Sequence, residues 1–220
     1  MIEFLTDGGP FMIFLVACAV LAVAVIIERW LVLREVKSYV GPFLEKFNNL
    51  IKGGKLQEAR TLCEDTPHPV SRMLKAGLDR HDEVREGQDM AFIHDQIDKA
   101  VSEAGTHAVD VLEKRLNLLA IISNLGPLLG FTGTVTGMIV AFASIAAAEN
   151  VDVSGVASGL SQALNTTASG LVIGITATVG HSYFAGKIEE FVGDLEEASN
   201  RMLAHIIRDI IRTRHTEAAD

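Results

Sequence analysis

Cysteine is scarce: two among 220 residues, Cys18 within an apolar run and Cys63 within a charged segment. That excludes a disulfide-stapled scaffold, and both thiols read as structural. No CxxC, HExxH, GxxxxGK[ST] or GxSxG string occurs, and the seven histidines are scattered, so no metal centre, phosphate-cradling loop or nucleophile elbow is indicated. Cys63, His68 and Ser71 lie close in sequence but read as a surface loop. A positive balance is missing as well; the formal net charge of −9 argues against a nucleic-acid binder, and the 49% hydrophobic content argues against a disordered chain. The most informative absence is of charge in blocks. Gly8 to Ile27, Leu116 to Ala148 and Val153 to Gly186 hold 20, 33 and 34 residues with no Asp, Glu, Lys or Arg.

A helix rises about 1.5 Å per residue and the hydrocarbon core is about 30 Å thick, so roughly 20 apolar residues cross it. Each uncharged block qualifies, and only Glu149-Asn150-Val151-Asp152 separates the second from the third, leaving no polar face for a water-soluble pair. Ala22-Val23-Ala24 resembles a signal-peptide cleavage site, yet no Lys or Arg precedes it and the apolar run continues into Glu28-Arg29-Trp30, an interfacial charge pair with an aromatic anchor. A retained helix is expected. All 19 Lys and Arg fall between the first and second blocks or after the third, so the positive-inside rule puts the N-terminus and the short turn outside. The expected plan is an all-α integral membrane protein with a short outer N-terminus (1–10), a first span (11–33), a cytoplasmic helical segment (34–115), a second span (116–148), an outer turn (149–152), a third span (153–186) and a cytoplasmic C-terminal helix (187–220). Breaks are expected at Gly41-Pro42, Gly53-Gly54 and Thr66-Pro67-His68-Pro69. Met90, Ile93, Ile97, Val101, Ala104, Ala108, Val111 and Arg115 read as a stripe running straight into the second span, and Ile188, Phe191, Leu195, Met202, Ile206 and Ile210 as one leaving the third.

The second and third spans are too polar for simple anchors. Gly126, Gly130, Gly133 and Gly137 in one, and Gly170 and Gly174 in the other, are small residues at helical spacing, the feature that lets membrane helices pack closely. Ser123, Asn124, Thr132, Thr134 and Thr136 in one span, and Gln162, Asn165, Thr166, Thr167, Ser169, Thr176 and Thr178 in the other, place hydroxyls and amides at mid-depth. Back-bonding to the preceding turn is the ordinary explanation for any one of them. Thr134 lies 15 residues before Glu149 and Thr167 lies 15 after Asp152, so antiparallel helices are expected to bring both to one level. Hydroxyls do not titrate near neutral pH, and His181, six residues before Lys187, belongs near the interface. If ions move through this protein, the acid must come from another chain.

The strings Leu125 to Phe142 (LGPLLGFTGTVTGMIVAF) and Ala163 to Ile175 (ALNTTASGLVIGI), with the Glu28-Arg29 pair and the Tyr183-Phe184 exit, resemble the three-span subunits of ion-driven motors of the ExbB, TolQ and MotA family, most of all its ExbB/TolQ branch. The resemblance implies an inner-membrane homopentamer around a one-span partner of the ExbD/TolR type, whose intramembrane Asp relays protons. It implies that Thr134 and Thr167 face that Asp, that Gly126, Pro127, Gly130, Gly133, Gly137, Gln162, Asn165, Gly170 and Gly174 pack helices or meet the partner, and that a TonB-like or Tol-Pal-like protein receives the work. No cofactor or enzymatic activity is implied. Gln162 stands where such subunits often carry Glu, and Thr176 where they often carry Pro. The competing reading is a passive helical membrane scaffold whose Gly and Thr residues only pack helices; a transporter with its own substrate site would show internal repeats, which this sequence lacks.

Overall fold

The computed structural model describes residues 9–66, 68–84, 90–147 and 153–217, and among them every element is a helix. These are α1 (Phe11–Lys52), α2 (Leu56–Asp65), α3 (Pro69–Val84), α4 (Met90–Glu113), α5 (Leu116–Ala147) and α6 (Val153–Glu217). Three of them, α1, α5 and α6, are long and apolar enough to cross a membrane. The expected outer turn, most of the outer N-terminal segment and Pro67 fall outside the described residues, as does the side chain of Ile210.

The chain divides into two compact units, Met1–Leu31 with Arg115–Ala185, and Val32–Lys114 with Gly186–Asp220. The first unit holds the three apolar helical stretches. Its α1 portion turns inward Met12, Leu15, Cys18, Ala22 and Val25, at steps of three or four, while Ile13, Phe14, Val20 and Leu21 on the other faces stay exposed. Large apolar side chains left uncovered on this scale suit lipid rather than water as solvent. At one end of this unit the Glu28 carboxylate accepts hydrogen bonds from Arg29 Nη2 at 3.1 Å and Arg115 Nη1 at 2.6 Å.

The second unit is an ordinary helical core. Val40, Phe43, Phe47 and Ile51 of α1, Cys63 of α2, Val70 and Leu74 of α3, Ile93 and Ile97 of α4 and Met202 and Ile206 of α6 are all buried. The α3 N-terminus is built by its own sequence. Pro69 takes the first helical position, where a missing N–H costs nothing, and His68 Nδ1 accepts the Val70 N–H at 3.4 Å as an N-cap. The buried Ser71 hydroxyl contacts the Thr66 carbonyl, donates to that of His68 at 2.7 Å and accepts the His68 N–H at 3.2 Å.

Two sequence expectations are corrected here. Gly41-Pro42 does not break the chain: Pro42 lies inside α1. Proline there removes one helical hydrogen bond, but Val36, Val40, Phe43, Phe47 and Ile51 form an unbroken buried stripe, with Phe43 and Phe47 stacked at 6.1 Å, and this burial outweighs the local penalty. Conversely, α4 does not run straight into α5. The chain turns at Lys114-Arg115, where the Leu118 N–H bonds back only three residues to the Arg115 carbonyl. The buried stripe steps from Ala108 to Leu112 rather than to the exposed Val111, and Arg115 pairs with Glu28 instead of continuing the stripe. The break at Gly53-Gly54 is present, with Gly54 at φ +71°, a conformation that favours glycine.

Candidate ion pathway beside a glycine seam

Helices α5 and α6 lie antiparallel against each other along a stripe of small residues. On α5 the stripe is Gly126, Gly130, Gly133, Gly137 and Ala141; on α6 it is Gly159, Ala163, Thr166, Gly170 and Gly174. A Cβ on Gly126 would sit 2.9 Å from the Gly170 carbonyl oxygen, one on Gly130 would sit 3.0 Å from that of Thr166, and one on Gly137 would sit 2.7 Å from that of Gly159. Backbone thus meets backbone along about four turns, and only glycine or alanine fits most of these positions. Pro127 occupies the α5 interior against Gly174, whose Cβ would lie 2.8 Å from the ring and 3.1 Å from the Ser123 carbonyl that proline leaves without its helical partner. Gly126, Pro127, Gly130, Gly133, Gly137, Gly170 and Gly174 therefore meet in one contact.

The seam fixes the level of every polar group. Gly126 lies between Gly170 and Gly174, Gly130 between Thr166 and Gly170, and Gly137 between Gly159 and Ala163, so each step along α5 is matched by an equal step back along α6. In that register Thr134 is level with Leu164, and Thr167 with Phe131, about three residues or ~4.5 Å from Thr134 along the axis. Both threonines thus come within one helical turn of a common level, and close approach of the glycines sets this register. Both hydroxyl protons are already used. Thr134 Oγ1 donates to the Phe131 carbonyl at 2.6 Å, and Thr167 Oγ1 crosses the seam to the Gly130 carbonyl at 3.2 Å. What remains are oxygen lone pairs, which can accept a hydrogen bond from an acid or help to solvate a cation but cannot carry a proton by titrating.

The two threonines also share a side. Each follows a seam residue, Gly133 and Thr166 respectively, and in an antiparallel pair of right-handed helices at 100° per residue such positions lie on the same flank. Apart from Pro127, which packs on Gly174, the other residues that follow seam positions are exposed apolar groups: Phe131 (67%), Met138 and Phe142 (68%) on α5, and Leu160, Leu164, Leu171 and Ile175 on α6. Thr134 and Thr167, both half-buried, are thus set into an uncovered apolar face. Gln162 and Asn165 precede seam residues and fall on the opposite flank, that of α1, where the Gln162 side chain touches the Gly9 backbone and Gly180 meets Ile26.

Sequence reasoning missed four seam members, Ala141, Gly159, Ala163 and the fully buried Thr166. Thr166 was visible only as one of several hydroxyls; it donates to Gln162 and Ala163 carbonyls at 3.1 and 3.0 Å and presses its side chain on Gly133. The signal that finds the four is the unbroken three-and-four spacing from Gly159 to Gly174, matched in reverse from Ala141 to Gly126. Among the described residues no group of His, Cys, Asp or Glu is placed to hold a metal ion.

Three membrane-crossing helices, two of them zipped by glycine and carrying uncharged hydroxyls on an open apolar flank, define a membrane subunit that offers polar oxygens without an acid. The chain belongs to the MotA/TolQ/ExbB proton channel family, whose model matches residues 65–197. It is 28% identical over 184 residues, covering 83% of this chain and 80% of the relative, to the Tol-Pal system protein TolQ of Pseudomonas aeruginosa. It is 27% identical over 168 residues to the biopolymer transport protein ExbB of Pseudomonas putida, covering 73% of this chain but only about half (49%) of that protein. A putative ExbB homolog of Methanothermobacter thermautotrophicus is 25% identical over 201 residues, 89% of this chain and 66% of its own length. These relatives place it in the ExbB/TolQ branch.

Proposed function

We propose that this chain is an inner-membrane stator and channel subunit that, together with a one-span partner of the ExbD/TolR kind bearing an intramembrane Asp, converts proton-motive force into mechanical work on the cell envelope. The observation that carries the reading is the flank holding Thr134 and Thr167: an exposed apolar face long enough for a helix, with two hydroxyl oxygens less than one turn apart and, among the described residues, no carboxylate of its own. A carboxylic acid on a facing helix would find acceptors there when protonated, and would be attracted to any cation passing it when ionised. Passage of one charge down a 100 mV potential releases roughly 2.3 kcal/mol, the energy such a device would pass on. In this reading the N-terminus and the turn at 149–152 lie outside, five copies enclose the partner, and the load is TonB-type uptake or Tol-type envelope maintenance, as the names of the relatives suggest.

A passive helical scaffold is the second reading, and one observation favours it: both threonine hydroxyls already donate to backbone carbonyls, as packing residues do. The two readings separate in proteoliposomes loaded with a pH-sensitive dye. An energy-converting subunit gives proton flux only when the one-span partner is co-reconstituted, and Thr167→Val lowers that flux at least tenfold while the complex stays assembled. Undiminished flux and motor output in the Thr167→Val complex would leave packing as the sole role of this hydroxyl.

A further inference from the structure

The second unit contains a feature that ion conduction does not use. Asn48 and Lys52, four residues apart on α1, face Arg201, Ala204, His205 and Arg208 of α6 across a cavity of about 280 Å³. The four α6 residues recur at steps of three, one and three, so they share one helix face, and the short Ala204 leaves the space that its longer neighbours border. Every polar side chain of the lining can donate: an amide, an ammonium, two guanidinium groups and an imidazole. In a chain of net charge −9, three fixed cations converge here.

Among the described residues local compensation is thin. Glu197 pairs with Arg201 at 2.5 Å on one side, and Arg208 spends its Nε on the Ala204 carbonyl at 3.4 Å, which leaves its terminal nitrogens. Lys52 is the last residue of α1, where a cation is favoured by the helix dipole whatever else it does. That explanation does not reach Arg201 and Arg208, which lie sixteen and nine residues before the end of α6 at Glu217.

We infer that this cleft binds a phosphate-bearing anion. Guanidinium forks match phosphate oxygens in pairs, and two of them with a lysine, less the charge of Glu197, leave two positive charges to balance a doubly negative phosphate, where a single carboxylate would leave a cation unmatched. The cavity lies just below the roughly 300–1,000 Å³ common for small-ligand sites, which suits a phosphate or short polyphosphate and is too small for a helix. The phosphate can belong to a soluble compound or to a lipid headgroup. The site goes beyond the motor reading and stands or falls separately from it.

The test uses the full chain in nanodiscs of phosphatidylcholine, titrated calorimetrically with tripolyphosphate at constant ionic strength. Saturable binding is expected, weakened about tenfold or more by Arg201→Gln and again by Arg208→Gln, and changed less than twofold by Lys99→Gln, whose ammonium is occupied by Asp95 at 2.8 Å elsewhere in the unit. Circular dichroism of each variant verifies that it folds as the parent does. A second arm adds phosphatidylglycerol to the discs. A tenfold weaker apparent tripolyphosphate affinity there, absent from Arg208→Gln, assigns the phosphate to a headgroup; an unchanged affinity assigns it to a soluble compound. The inference is overturned if no saturable binding occurs in phosphatidylcholine and phosphatidylglycerol produces no competition, or if the arginine variants bind like the parent.

Discussion

Replacing Gly170 by alanine tests the seam on which the placement of both threonines depends. The added Cβ would lie 2.5 Å from the Gly126 carbonyl oxygen, 2.9 Å from Gly130 Cα and 3.1 Å from Gly130 N, all of them backbone atoms that cannot rotate away. Restoring an ordinary contact near 3.4 Å requires the helices to part by about 0.9 Å at this point, and a gap of 0.5–1 Å forfeits roughly a quarter to a half of the dispersion energy of the facing atoms. Between membrane helices that dispersion is the main cohesive term, since lipid is as apolar as leucine. Overpacking of this kind costs about 1–3 kcal/mol, against up to about 1 kcal/mol gained in helix propensity. Gly193→Ala is the matched control: nothing lies within 4 Å of its Cβ, so only the propensity gain remains. Unfolding in mixed micelles by graded SDS, followed by circular dichroism, should therefore show Gly170→Ala destabilised by about 1–2 kcal/mol and Gly193→Ala unchanged or slightly stabilised. A Gly170→Ala protein as stable as the Gly193→Ala protein would refute the backbone-on-backbone seam.

Further outcomes concern the second unit and the membrane end of the first. Burial, and after it the Arg72 charge, hold the His68 ring below its usual value of 6.5, with Glu35 opposing weakly. The unfolded chain therefore takes up this proton first as pH falls, so the contribution is complete above about pH 6.5 and is lost below it, by at most about 1.4 kcal/mol per pH unit. Protonation at Nδ1 also removes the acceptor that caps Val70. Thermal melts between pH 5 and 7.5 should show a shallower decline for His68→Asn, which keeps a cap but no titration; equal slopes would contradict the assignment. Burial pushes the Cys63 thiol up to about 12, so maleimide at pH 7.5 should leave it unmodified until denaturant is added, and rapid labelling of the native protein would disprove its burial. Arg115→Gln removes the shorter of the two bonds to Glu28, and should lower stability by no more than about 1 kcal/mol because Arg115 is over half exposed; a loss several times larger would mean that this pair organises the turn between α4 and α5.

The membrane-crossing helices and most of the seam were legible because both signals are local. Uncharged blocks define the spans, and glycines at intervals of three and four define a face. The register was legible only to within a turn, since it depends on which glycine meets which: counting from Glu149 and Asp152 puts Thr134 and Thr167 at one level, whereas the seam sets them about three residues apart. Proline misled for the same reason: Pro42 reads as a break in one dimension, whereas Phe43 and Phe47 show in three that the helix continues. The turn at Lys114-Arg115 was hidden because no Gly or Pro marks it, and the Glu28 carboxylate with which Arg115 pairs there lies 87 residues earlier in the chain. Thr166 escaped notice as a seam residue because threonine is larger than the alanine and glycine that flank it in the stripe, and only the opposing Gly133 makes room.

The most direct test of a borrowed acid seated on the Thr134 and Thr167 flank is cross-linking to the one-span partner. In a background free of Cys18 and Cys63, Thr167→Cys and Gln162→Cys are each paired with a cysteine one helical turn from the partner's intramembrane Asp, and oxidised in native membranes. Efficient disulfide formation from position 167 and little from position 162 is the predicted result. Cross-linking from 162 with none from 167 would place the partner on the α1 side of the seam and contradict the account.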